Sequence, residues 1–243
     1  MARCSGGAKC YTYRVDDRRR SPLLGLLGLL GSLGLSRLPR AFFRRDALVL
    51  ARALVGAYVV HGDRAARIVE TEAYRGPTDA ACHARVGLTQ RTRTLLGDEG
   101  HAYVFLVYGM HHCFNVVCGG LGRGHAVLIR AGEMVAGPSV RADGPGRLAR
   151  ALGITRAHDG ADLTQMPLFI AERTKRPKIR VSARVGVAYA GEIAEAPWRF
   201  FDAESAHVSR PSARSIGLGL GATATTARPT RRTEPRATTD RRR

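Results

Sequence analysis

Lysine is almost missing from this 243-residue chain. Three lysines (Lys9, Lys175 and Lys178) stand against 36 arginines. The net charge of +19 and a pI near 11.1 point to a polyanionic partner, either nucleic acid or an anionic membrane surface. The preference for arginine adds nothing further, because GC-rich coding produces the same bias. Cysteine is also sparse: five residues, no C-x-x-C pair and an odd count argue against a secreted disulfide framework and fit a reducing cytoplasm. No H-E-x-x-H or H-x-E…P-C-x-x-C pattern occurs, and the neighbours His111, His112 and Cys113 alternate across a strand, so no metal site is expected. No phosphate-binding glycine loop is present, and Gly217–Gly221 lacks the strand–helix setting of a dinucleotide site, so no cofactor is expected either. A Cys or Ser nucleophile with a distant His is not excluded by spacing, because such partners meet only in the fold.

Long apolar runs are absent as well. The Leu/Gly run Leu23–Leu35 follows Arg18-Arg19-Arg20, but it is too short and too glycine-rich to span a membrane. Basic Ser36–Arg40 follows it in place of a small-residue cleavage site. Residues 1–37 therefore read as a disordered or weakly helical extension. Residues 213–243 carry eight arginines and read as a flexible basic tail. The remainder, 38–212, is one domain by length, and 44% hydrophobic residues supply one sizeable core.

Within that domain the punctuation is clear. Asp46 caps a helix over 47–55 that Gly56 stops, and Gly62-Asp63 joins two strands as a hairpin. Thr78 is expected to cap a short helix carrying Cys82 and His83, and 86–100 reads as a polar loop with Arg91 and Arg93. Strands follow at 102–108, 112–118 and 125–131, and a helix at 146–152 stops at Gly153. Shorter strands are expected at 168–171, 180–187 and 198–201. Short strands at hairpin spacing with few helices predict an α+β fold with a mostly antiparallel sheet.

Two stretches stand out. In Arg67–Tyr74 (RIVETEAY), strand alternation puts Glu70, Glu72 and Tyr74 on one face. Taken alone, this is an edge strand with a solvated acidic face. The alternative is a pocket wall, with a carboxylate for acid/base work and a ring to stack on a flat substrate. In Ala102–Asn115 (AYVFLVYGMHHCFN), Tyr108-Gly109-Met110 interrupts a strand. Two large side chains at an exposed tip suit a wedge between base pairs, while a tip tucked into the core is the plainer reading.

At these residues the chain resembles the alkyladenine (3-methyladenine, methylpurine-type) DNA glycosylases. Glu70–Tyr74 with Gly76-Pro77, Ala81 and His83 carry the resemblance, together with Tyr103–Asn115, His125–Ala131, Asp143–Leu148, Ala183–Val187 and Pro197–Phe200. It covers roughly 38–210. The family excises alkylated or deaminated purines from double-stranded DNA by flipping the nucleotide into a pocket. The resemblance implies Glu72 as general base for the water that attacks C1′, with Arg130 and the Val185 carbonyl holding that water. It implies Tyr74, His83 and Phe105 around the flipped base, and Asn115 as a steric screen against 2-amino purines. Tyr108 would fill the gap left in the stack, on an intercalating β-hairpin, with Met110 and His111 touching DNA nearby. Some relatives have Tyr where this chain has Phe105, which keeps stacking and loses a hydroxyl. Thr92 likewise replaces an Asn common in that loop. The expected enzyme is a monofunctional, monomeric cytoplasmic hydrolase without a membrane or obligate protein partner.

Two other classes remain. Glu70 and Glu72 are roughly 6.5–7 Å apart at Cα on a strand, which overlaps the carboxylate separation of inverting glycoside hydrolases. Such clefts bind neutral sugars, for which +19 brings no advantage. A non-enzymatic protein that only wedges DNA open would leave Glu72 unexplained.

Overall fold

The computed structural model describes residues 35–209, together with Gly31. The expectations for the basic tail and for nearly all of 1–37 lie outside the described residues. Two helices open the domain: α1 (Arg40–Phe43) and α2 (Ala47–Leu54). The Asp46 side chain accepts from the Leu48 N–H at 2.9 Å, so the expected cap forms. Ala47, Leu50, Ala51 and Leu54, at helical spacing, are buried on one face. That face meets the sheet, where the Thr71 hydroxyl donates to the Ala51 carbonyl.

Among the described residues, eight strands form one antiparallel sheet: β1 (Tyr58–His61), β2 (Arg64–Arg75), β3 (Ala102–Val107), β4 (His111–Cys118), β5 (His125–Ala136), β6 (Leu168–Ala171), β7 (Ile179–Ser182) and β8 (Arg199–Asp202). The order is β3-β4-β5-β2-β1-β6, with β8 added to β2 and β7 to β8. The expected α+β architecture is therefore present. The third helix, α3 (Pro145–Leu152), begins with proline in its first turn and ends at Gly153, whose φ of 67° is the left-handed stop glycine provides. Its Leu148 and Leu152 join Phe43, Leu50, Leu54, Ile68, Phe114 and Ile129 in the main core. Each of these side chains contributes about 1.5–3 kcal/mol by leaving water.

β2 corrects the simplest reading of its sequence. It is not an edge: β5 lies on one side, and β1 and β8 lie on the other. Glu70 and Glu72 have no exposed surface at all. The ladder with β5 is irregular here, since Ile68 pairs with Gly132, Glu70 with Ala131 and Thr71 with Ile129. Val69 and Arg130 are each left without a partner in the register. Bulges of this kind re-aim side chains, and this one turns Arg130 toward both glutamates.

Other local expectations shift by a residue or change identity. Thr78 is not a cap. Gly76–Thr78 forms a 3₁₀ turn, and the Asp79 carboxylate accepts from the N–H groups of Arg75 and Ala81 instead. The strand expected at 180–187 stops at Ser182, and β5 runs five residues beyond Ala131. The 86–100 loop is not simply polar, because Thr92 and Leu95 are buried. Among the described residues no helix is long and apolar enough to cross a membrane.

Candidate active site

A cavity of about 550 Å³ opens beside β2, lined by Tyr74, His83, Tyr103, Phe105, Asn115, Arg130 and Val185, among others. Of the ten residues singled out from the sequence, seven line it: those six besides Tyr103, and Tyr108. Glu72 lies immediately behind the lining. One carboxylate oxygen accepts from the Val185 N–H at 2.7 Å, and the other from the Tyr74 hydroxyl at 3.1 Å. Arg130 Nη1 stands 3.6 Å from that second oxygen. Glu72 therefore meets the cavity from behind three groups that face it. Val185 reaches Glu72 through its N–H, a contact the sequence did not suggest.

Glu70 is bound quite differently. Arg199 Nε donates to it at 2.6 Å, the Ser209 N–H at 2.6 Å and the Ser209 hydroxyl at 2.9 Å, and Arg130 Nε lies at 3.1 Å. No capacity is left for acid/base work, which removes the paired-carboxylate hydrolase. Burial acts to lower the Arg130 pKa, but the carboxylates of Glu72 and Glu70 more than offset it and hold the guanidinium above its ordinary value. Burial, then the Glu72 charge, pushes the Tyr74 phenol well above its ordinary value, so it remains a donor to Glu72.

The aromatic walls are ordered by polar contacts. His83 Nδ1 lies 2.9 Å from the Tyr103 hydroxyl, and its ring meets Phe105 edge-on at 4.5 Å. Burial, with help from the Arg91 charge, pushes the His83 imidazole down to about 4. Asn115 is buried, and its Nδ2 donates to the backbone carbonyls of Tyr103 and Cys113. The Cys113 thiol, also in the wall, is pushed up to about 11 by burial. Thr92 does not face outward: its hydroxyl donates to the Gly87 carbonyl, locking its own loop.

The β3–β4 hairpin carries Tyr108-Gly109-Met110 at its tip. The tip is not tucked into the core, since Tyr108 is 89% exposed and Met110 69%. Tyr108 (φ 51°) and Gly109 (φ 69°) both have positive φ, the pattern of a type I′ turn. For tyrosine this conformation costs roughly 1–2 kcal/mol. His111 and Met110 do not line the cavity; His111 lies exposed against Gly146 at the start of α3.

With this geometry in view, the comparisons with known proteins are decisive. The family model described as methylpurine-DNA glycosylase (MPG) matches residues 41–206. This chain belongs to that family. A relative from Myxococcus xanthus is 51% identical over 181 residues, covering 71% of this chain and 93% of that protein. One from Methanocella arvoryzae is 46% identical over 191 residues, covering 71% and 96%. Both bear the name "Putative 3-methyladenine DNA glycosylase". As a member of this glycosylase family, the chain is a hydrolase acting on N-glycosyl bonds.

Several residues of this glycosylase site escaped the sequence. Arg184 is fully buried, pairs through two nitrogens with Asp79 at 2.6 and 2.9 Å, and lies between the rings of Tyr74 and Trp198 at 4.7 and 4.8 Å. It backs Tyr74 and ties β2 to the Val185 segment. Arg184 and Arg199 both fall inside stretches that carried the family resemblance, which is the only signal that pointed to them. Tyr103 also falls inside such a stretch, whereas Ser209 gave no signal.

Proposed function

We propose that this enzyme excises alkylated or deaminated purines of the 3-methyladenine, 7-methylguanine and hypoxanthine type from duplex DNA by base flipping. The observation that carries this reading is a fully buried glutamate, Glu72, held by Val185, Tyr74 and Arg130 at the back of an aromatic cavity. The flipped base stacks among Tyr74, His83 and Phe105, with Asn115 screening a 2-amino group. A water held by Arg130 and the Val185 carbonyl loses a proton to Glu72 as its oxygen bonds to C1′. The C1′–N bond breaks, its electron pair leaves with the purine, and an abasic sugar remains. Alkylated purines leave readily because they are already cationic, whereas neutral hypoxanthine leaves with the electron pair and is then protonated by water.

Tyr108 fills the vacated place in the stack, and its exposure and strained backbone support that role. Met110 and His111 touch the DNA beside it. The reaction stops at the abasic site, because strand cutting by glycosylases usually proceeds through an amine. Lys175 and Lys178 are exposed and neither lines the cavity. The enzyme acts as a monomer in the cytoplasm. Single-turnover excision of hypoxanthine and of 7-methylguanine from otherwise identical duplexes tests the proposal. Alkali-labile abasic product from both is expected, without a borohydride-trapped adduct. Intact DNA after incubation with either lesion would overturn it.

A further inference from the structure

Arg91 is an exposed residue whose charge is nevertheless directed at the aromatic wall of the cavity. Its Nη2 stands 3.4 Å from His83 Nε2, and its Cζ lies 5.5 Å from the centre of the Phe105 ring. A guanidinium only donates hydrogen bonds, so in this pair His83 Nε2 is the acceptor and the imidazole proton sits on Nδ1, toward Tyr103. Among the described residues no carboxylate forms an ion pair with Arg91. The depressed basicity of His83 agrees, since Arg91 is the one charge that contributes to it. The cavity mouth thus carries a positive charge not neutralised by a neighbouring acid.

We propose that Arg91 is a specificity-determining residue, favouring neutral oxo-purines over cationic alkylated purines in the cavity. The proposal rests on the excision reading above and concerns the choice among its substrates. Two effects act in the same direction. A 7-methylated guanine enters as a cation and is repelled by the guanidinium, which for two unit charges about 6 Å apart at a partly wet site changes occupancy on the order of tenfold. Hypoxanthine enters neutral, presents O6 and N7 as acceptors, and leaves with the electron pair of the broken C1′–N bond. The charge on the departing purine is offset by Arg91 until water supplies a proton.

The test measures single-turnover excision of hypoxanthine and 7-methylguanine in one duplex context for the parent, R91Q and R91K. In R91Q the hypoxanthine-to-7-methylguanine rate ratio should fall on the order of tenfold, while R91K, which keeps the charge, stays within about threefold of the parent. Thermal unfolding of R91Q confirms that this surface change leaves the fold intact. If both rates drop in the same proportion and the salt dependence of binding loses about one phosphate contact, Arg91 serves the backbone alone and the proposal is wrong. A parent enzyme that excises neither base instead defeats the excision reading itself, and an unchanged ratio beside two active rates defeats only the role of Arg91.

Discussion

The floor behind the cavity and the tip of the β3–β4 hairpin are built on opposite terms. The floor is made of charge. Glu70, Glu72, Arg130, Arg184, Arg199 and Asp79 are nearly or fully out of water, and each is held by partners from other strands or loops. A charge placed there is tolerated only because every neighbour is fixed, so the floor is rigid and intolerant. The tip is apolar, exposed and strained, and contributes little to the fold. On the excision reading, that shape serves contact with DNA. Stability and function are therefore separable between the two regions, and substitutions can test that separation.

The largest effect is expected at the floor. Arg184→Ala leaves Asp79 buried without its partner and should cost about 3–5 kcal/mol in urea unfolding. Tyr108→Ala in the same assay should remain within about 0.5 kcal/mol of the parent. A comparable loss from both would erase the distinction.

Next comes chemistry within the floor. Glu72→Gln should slow hypoxanthine excision by roughly 10²-fold or more while lesion binding survives. Glu70→Gln should slow it much less, because Glu70 faces Arg199 and Ser209 and not the cavity. Full activity of Glu72→Gln on hypoxanthine in duplex DNA would reassign the base. A slow leaving group is essential here, since 3-methyladenine departs readily unaided.

Smaller still, Tyr108→Ala should reduce excision from duplex more than from single-stranded substrate, because only a duplex offers a stack into which the base can return. Equal losses on both would mean that the tip does something other than fill the stack.

A separate effect is expected on pH. Unfolded histidine titrates near 6.5 and His83 in the fold only at about 4. Between these values the unfolded chain binds the extra proton, so stability should fall as pH drops from about 6.5 toward 4. Replacing His83 with Phe should flatten that slope in chemical denaturation, and an unchanged slope would locate the acid sensitivity elsewhere.

The same two regions show what sequence can and cannot disclose. Asp46, Gly62 and Gly153 were legible because caps and turns are decided within a few residues. Glu72 and Tyr74 were legible as neighbours because strand alternation needs no knowledge of partners. Whether their strand lay at an edge was not, since that depends on β5 and β8, which arrive far later in the chain. Glu70 is bound by Arg199 and Ser209, 129 and 139 residues away, and no local pattern records such a closure. Arg130 owes its aim to a bulge, which appears only when two strands are laid side by side. The family resemblance supplied roles for Glu72 and Arg130, but it gave none to Arg184, Arg199 or Ser209.

The thiols carry a consequence of their own. Cys82, Cys113 and Cys118 are buried, and burial raises the pKa of each, Cys113 to about 11. Sulfur attacks electrophiles as thiolate, and at neutral pH these three remain almost wholly protonated. Cys82 is further occupied as a donor to the Gly124 carbonyl. The reagents that methylate purine ring nitrogens also methylate soft nucleophiles, and in this cavity wall they find none in reactive form. On the excision reading proposed above, the dielectric of the interior keeps these three thiols out of reach of the agents that would create the substrates.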